Sequence, residues 1–136
     1  MIVLDTSLVV AYFNNRDDNH TKAEKIIEDI INGRYGRTAY ITDYIFDEVA
    51  TVSLIRLKNL DRAVKIGKTL LKATSIIEIN KNCFDDAWDI FCAQKNTRLS
   101  FTDCTTISAM QQNSIENLAT FDKDFTKINE IRVVNS

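Results

Sequence analysis

The stretch MIVLDTSLVVAYF, residues 1–13, reads as a buried strand that runs straight into a helix. Ile2 to Leu4 form a short continuous apolar run that stops at Asp5. Leu8, Val9, Tyr12 and Phe13 then recur at helical spacing, and Thr6 or Ser7 can start the helix. So apolar a start also has to be weighed as a targeting segment. It has no basic leader, carries Asp5 inside the run and is too short to cross a bilayer, so export and membrane insertion are not expected. The expected location is the cytoplasm.

Strand and helix signals keep alternating from there. The polar run NNRDDN at 14–19 marks a bend, after which Ala23, Ile26, Ile27, Ile30 and Ile31 make a helical stripe that stops before Gly33. Ala39 to Ile41 is a second strand candidate, and Thr42 caps a helix with apolar positions Ile45, Val49, Val52 and Ile55. Another helix, Asp61 to Lys72, presents Ala63, Val64, Ile66, Leu70 and Leu71 and is slightly weakened by Gly67. Ser75 to Ile79 supplies a third strand. Asn82 with Asp85 resembles a capping pair for a helix whose face carries Phe84, Ala87, Trp88 and Phe91. A last helix covers about Thr102 to Gln112, capped by Thr102 or Ser100, and Leu118–Phe121 and Ile131–Val134 are the closing strand candidates. No repeat, linker or proline interrupts the series. The pattern predicts an α/β fold in one domain, residues 1–136, with a mostly parallel sheet covered by helices on both faces. A content of 45% hydrophobic and 26% charged residues is that of a globular chain with a real core.

The chemistry available is narrow. One histidine, three cysteines without ligand spacing (Cys83, Cys92 and Cys104) and no glycine-rich loop remove thiolate zinc sites, Cys/His nucleophiles and phosphate-cradling loops. The cysteines read as reduced and mostly buried thiols. What stands out are acids at predicted strand ends and helix starts: Asp5 in IVLDTS, Glu48 in TDYIFDEVA, Asp103 in LSFTDCTT and Asp122 in ATFDKDF. In doubly wound sheets ligands collect outside the carboxyl ends of the strands, so these four can converge there. Clustered carboxylates repel one another unless cations are present, and hard oxygen ligands suit Mg²⁺ or Mn²⁺. Such ions activate water and stabilise a leaving oxygen.

The four segments, in this order and spacing, resemble a PIN-domain ribonuclease, in particular the toxin subunit of VapC-type toxin–antitoxin pairs. The resemblance implies a three-layer PIN-like fold, Mg²⁺- or Mn²⁺-dependent endonuclease activity on RNA with 5′-phosphate and 3′-hydroxyl products, a cognate antitoxin that blocks the site, and a homodimer. It also implies that Asp5, Glu48, Asp103 and Asp122 are the catalytic, metal-binding acids, with Asp5 and Asp103 in direct contact. Hydroxyls at Thr6 and at Ser100 or Thr102 match supporting positions, and Thr120 and Asp124 have looser counterparts.

Each residue also has a plainer reading. Asp5 and Asp103 can serve as helix caps, Asp122 as a turn residue, and Asp47 competes with Glu48. Asp124 either assists the fourth acid through water or caps the turn before Phe125, and Asp43 reads as first-turn charge stabilisation. His20 reads as a surface or capping residue, and Trp88 with Phe91 as core packing rather than a base-stacking platform. The aromatics Tyr12, Phe13, Tyr35, Tyr40 and Tyr44 read as partly core. Net charge is −2, yet Arg56, Lys58, Arg62, Lys65, Lys68 and Lys72 gather positive charge, and Arg34 and Arg37 form a second basic pair. These read as a solvated flank or as contacts to RNA or antitoxin. The helix pair 43–72 is the candidate dimer face. A non-toxin RNA-processing nuclease, an inactive PIN-like binding module and a phosphotransferase using Asp5 are the competing functions.

Overall fold

A computed structural model describes residues 1–136. Five strands form one sheet: β1 (Ile2–Leu4), β2 (Ala39–Thr42), β3 (Ser75–Ile77), β4 (Asn117–Ala119) and β5 (Arg132–Val134), in the order β3-β2-β1-β4-β5. Every pairing is parallel, with Val3 opposite Tyr40 on one side and Leu118 on the other. The expected mostly parallel α/β architecture is therefore what the chain adopts. The central strand is fully apolar because it is covered on both faces: Ile2, Val3 and Leu4 are all buried.

Six helices surround the sheet: α1 (Thr6–Phe13), α2 (His20–Ile31), α3 (Asp43–Leu57), α4 (Leu60–Ala73), α5 (Lys81–Cys92) and α6 (Phe101–Gln112). With right-handed crossovers, the steps from β1 to β2 and β2 to β3 place α1–α4 on one face. The return from β3 to β4 places α5 and α6 on the other. Leu8, Ile26, Ile45, Val49, Ile107, Met110 and Phe125 close the core around the strands. Because β1 has β2 on one side and β4 on the other, the strand order reverses beside β1, where the carboxyl ends leave a crevice.

Local signals fix most boundaries. Thr42 Oγ1 accepts the Ile45 amide at 3.0 Å and starts α3, as its position predicts. Asn59 caps α4 by accepting the Arg62 amide at 3.1 Å. The cap of α5 is Asn80, whose side chain accepts the Cys83 amide at 2.9 Å, so the Asn82–Asp85 pairing is corrected. Asp85 instead takes an ion pair from Lys81 at 2.8 Å. β3 stops at Ile77 rather than Ile79 because the Ile79 amide leaves the ladder for Asp43 Oδ1, at 3.0 Å. That contact gives Asp43 a structural task.

Several apolar residues expected in the core lie outside it. Ile31 and Ile55 are exposed, because α3 buries the stripe Ile45, Val49 and Ser53 and α2 buries Ala23 and Ile26. Val64 and Leu71 on α4 are also exposed. On α5 the buried stripe is Cys83 and Ala87; Phe84, Trp88 and Phe91 lie one stripe over, and Trp88 is 53% exposed. They stack on each other and around the Phe101 ring instead of entering the core. Cys83 and Cys104 are buried thiols, Cys104 pushed up to about 11 by burial and then by Asp103, while Cys92 is exposed. His20 sets its Nδ1 2.8 Å from the Ala11 carbonyl and so ties α2 to α1.

Candidate active site

The crevice beside β1 is a cavity of about 450 Å³ lined by Asp5, Glu48, Asp103 and Asp122 together with Thr6, Ser7, Ser100, Asp17 and Arg56. All four predicted acids thus reach one space, from four separate elements.

Asp5 sits where β1 gives way to α1, its amide still donating to the Ala119 carbonyl of the neighbouring strand at 3.0 Å. It occupies the N-cap position of α1, yet its side chain makes no cap bond. The carboxylate turns to the cavity and to β4, where Thr120 Oγ1 donates to Oδ2 at 2.6 Å. Burial raises the Asp5 carboxyl from 3.8 to about 7, against the Thr120 hydrogen bond and with help from the charges of Asp103 and Glu48. Burial at this position therefore disfavours the charged carboxylate.

Two hydroxyls hold this corner together. Ser7 Oγ lies 3.3 Å from Asp5 Oδ2 and 3.2 Å from Thr120 Oγ1, and it accepts the Phe121 amide at 3.0 Å. Thr120 Oγ1 in turn accepts the Asp122 amide at 3.1 Å, so the loop that carries Asp122 is tied to the Asp5 carboxylate. This is why the strand stops at Ala119 instead of continuing to Phe121. The sequence marks Ser7 only as a possible helix start and Thr120 only as a loose counterpart. The hydroxyl of Thr6, the expected support, makes no hydrogen bond: its buried Oγ1 has no partner in the protein. Thr102 does not line the cavity either, and Ser100 fills that place.

Ser100 and Asp103 form a reciprocal capping box at the start of α6. Ser100 Oγ accepts the Asp103 amide, and Asp103 Oδ2 accepts the Ser100 amide, each at 3.0 Å. Asp103 therefore both caps a helix and lines the cavity. Burial raises its carboxyl, the two Ser100 bonds oppose that, and the charges of Asp122 and Glu48 add to the rise. Glu48, half-buried on α3, lines the cavity, whereas Asp47 is exposed and turned away. Asp122 accepts the Asp124 amide on Oδ1 at 2.9 Å and begins the short 3-10 helix Lys123–Lys127. Asp124 does not line the cavity. It accepts the Arg98 amide at 2.8 Å and pairs with Lys127 at 3.5 Å, and these contacts, the Arg98 amide first, hold its carboxyl below its usual value.

The donor set is all oxygen, with an orphaned hydroxyl and a carboxyl displaced upwards by burial and by its acidic neighbours. Those features fit a hard divalent cation. No group of three or more His, Cys, Asp or Glu is drawn together as a ready cage. Mg²⁺ does not need one, since it commonly binds through one or two carboxylates and keeps several waters. Arg56 and Asp17 also line the cavity, although in sequence Arg56 reads as part of a basic flank and Asp17 as part of a bend.

Fold and cavity together define a doubly wound α/β protein with an acidic site at its topological switch point. The chain belongs to the PIN-domain family, whose description matches residues 2–131. Among solved structures it is similar to VapC20 of Mycobacterium tuberculosis, described as a Sarcin-Ricin loop cleaving toxin, with a TM-score of 0.84, 21% identity and 95% of each chain covered. It is also similar to a chain of a toxin–antitoxin complex from Klebsiella pneumoniae (TM-score 0.71, 21% identity, 98% of this chain and 96% of that one). VapBC2 from Rickettsia felis, bound to a DNA fragment from its promoter, gives a TM-score of 0.72 at 18% identity, covering 100% and 99%. At these identities the likeness is one of fold. No curated protein sequence matches the chain. No helix is long and apolar enough to cross a membrane.

Proposed function

We propose that this chain is a Mg²⁺- or Mn²⁺-dependent endoribonuclease and the toxin of a toxin–antitoxin pair. The observation that carries the reading is the cavity beside β1, where Asp5, Glu48, Asp103 and Asp122 meet and burial holds Asp5 at about 7. Asp5 and Asp103 are the direct ligands in this reading, the first fixed by Thr120 and Ser7 and the second by its box with Ser100. Glu48 faces the same space and contacts the ion or orients the attacking water; Asp122 acts at the rim through water. The chemistry supplied by a bound divalent ion is activation of water and neutralisation of charge at the phosphodiester. Hydrolysis in line would leave a 5′-phosphate and a 3′-hydroxyl.

A cognate antitoxin and a homodimer belong to the same reading. What supports a protein partner is an apolar groove of about 400 Å³ between α3 and α4, lined by Phe46, Ala50, Leu54, Leu60, Val64 and Leu71, within the helix pair 43–72. The toxin–antitoxin assemblies among the structural neighbours support it at the level of fold.

The test is incubation with total cellular RNA plus Mg²⁺ or Mn²⁺, followed by mapping of new 5′ ends. Defined cleavage that disappears in folded Asp5→Asn and Asp103→Asn variants is the expected result. Undiminished cleavage in either variant removes that residue from the site, and no cleavage by the unaltered chain of any RNA removes the nuclease reading.

A further inference from the structure

Arg56 lines the acidic cavity and also a second, polar hollow of about 390 Å³ formed with Asn14, Asn15, Arg16, Leu57 and Arg62. Arg62 in turn lines a third hollow of about 250 Å³ that includes Lys65 and Phe13. The three spaces share lining residues in series, so a basic trough leads away from the acids. Arg16, Arg56 and Arg62 are all exposed, and none takes part in any of the six ion pairs of the protein. Their guanidinium groups make no hydrogen bond within the chain, whereas Arg34 is held by Asp29 at 2.9 Å. Three unpartnered guanidiniums converging on one hollow repel one another, in a chain whose net charge is −2. Each presents a planar fork of donors matched to phosphate oxygens.

We propose that Arg16, Arg56 and Arg62 form a phosphate-binding trough that holds the single-stranded RNA flanking the bond to be cut. This rests on the nuclease reading and adds the path of its substrate. A strand whose scissile phosphate lies over the acids would pass Arg56 at the junction, and its next phosphates would meet Arg62 and Arg16. Asn14 and Asn15, at the turn after α1, supply amide donors and acceptors to sugar hydroxyls or splayed base edges. An acidic protein segment would satisfy the arginines equally well but has no reason to continue into four carboxylates. A phosphodiester chain does, because the acids and their cation are built for the bond it carries.

The test uses the full chain and a fluorescein-labelled oligouridylate of about ten nucleotides in EDTA, so that binding is read without cleavage. The double variant Arg16→Gln/Arg62→Gln should bind about tenfold more weakly, with the slope of log K against log salt reduced by roughly 0.7 for each phosphate that the variant no longer neutralises. Lys81→Gln/Arg132→Gln, at ion-paired residues that line none of the three spaces, should leave both unchanged. Equal affinity and slope in the trough variant overturns the proposal. So does an unaltered chain that ignores the oligonucleotide but binds a polyglutamate peptide through the same arginines. If the binding loss appears while Mg²⁺ and Mn²⁺ produce no cleavage, the trough stands and the nuclease reading falls. Metal-dependent cleavage with unchanged trough binding gives the opposite division.

Discussion

Thr120 Oγ1 donates a 2.6 Å hydrogen bond to Asp5 Oδ2, joining the ends of the two adjacent central strands across 115 positions of sequence. The same hydroxyl accepts the Asp122 amide at 3.1 Å, so one side chain sets both a buried carboxylate and the loop of a second acid. Thr120→Val keeps the shape and removes both contacts. Because the Thr120 bond lowers the Asp5 carboxyl, its loss should push that group further above about 7 and weaken divalent-ion binding at neutral pH. The readout is the rise in melting temperature on adding Mg²⁺, which should be smaller than in the unaltered protein and should recover as pH is raised. An unchanged shift at neutral pH would show that Thr120 does not govern the charge of Asp5.

The raised Asp5 carboxyl also has a sign in stability. In the unfolded chain it titrates near its ordinary 3.8, and in the folded protein near 7, so the native state binds its proton more tightly. Its favourable contribution is complete below about 3.8 and is lost as pH rises through about 7. Each tenfold difference in proton affinity is about 1.4 kcal/mol, so the total is a few kcal/mol. Asp5→Asn removes the buried charge. Without divalent ions it should melt higher than the unaltered protein above about pH 7 and nearly level with it at acid pH, and adding Mg²⁺ should raise its melting temperature less than that of the unaltered protein. A variant that melts lower at every pH would contradict burial as the dominant effect.

Ser100→Ala opens the capping box while leaving Asp103 in place. Loss of an N-cap hydroxyl costs about 1 kcal/mol, measurable by denaturant titration. The Asp103 carboxylate keeps its bond from the Ser100 amide, but the hydroxyl that fixes the Asp103 amide is gone. The less firmly placed carboxylate should hold a divalent ion more weakly, so RNA cleavage should fall more than the stability loss alone explains. Intact cleavage with the expected destabilisation would confine Ser100 to the helix start.

The difference between what sequence patterning reveals and what it does not is visible at this corner. β1 and Asp5 are legible because a buried parallel strand leaves a continuous apolar run with an abrupt polar end, and Thr42 is legible because capping is local. Ser7 and Thr120 act through each other at a separation of 113 residues, and no periodicity encodes a hydrogen bond of that range. The exposed Trp88 shows the limit of a helical stripe: rows 83–87 and 84–88–91 are both apolar, and only the neighbouring α6 decides which is covered. Asn80 outcompetes Asn82 as a cap because the strand before it ends early, where Ile79 turns its amide to Asp43.

Glu48 and Asp47 are adjacent acids on α3 with opposite surroundings, one lining the cavity and one facing solvent. Glu48→Gln should lower metal-dependent cleavage by about two orders of magnitude, the scale of a positioned acid–base or ligand group, and Asp47→Asn should leave it within about twofold. Rates from labelled RNA at saturating Mg²⁺ compare the two directly. Equal losses, or a larger loss at Asp47, would mean that α3 is rotated in the active form.

Gly67 lies in the middle of α4, buried against α3, and a Cβ there would stand 3.6 Å from the Phe46 ring, an ordinary contact distance. Its backbone is helical, so alanine adopts the same conformation without strain and reduces the freedom of the unfolded chain. Gly67→Ala should therefore stabilise the protein by about 0.5–1 kcal/mol. For a chain of this length that is a rise of roughly 2–5 °C in melting temperature. The residue does not line the acidic cavity, so metal-dependent cleavage should not change. It does line the apolar groove between α3 and α4, where the added methyl narrows the space beside Phe46. A lower melting temperature would mean that Phe46 cannot accommodate the contact, and that the close approach of α3 and α4 requires glycine.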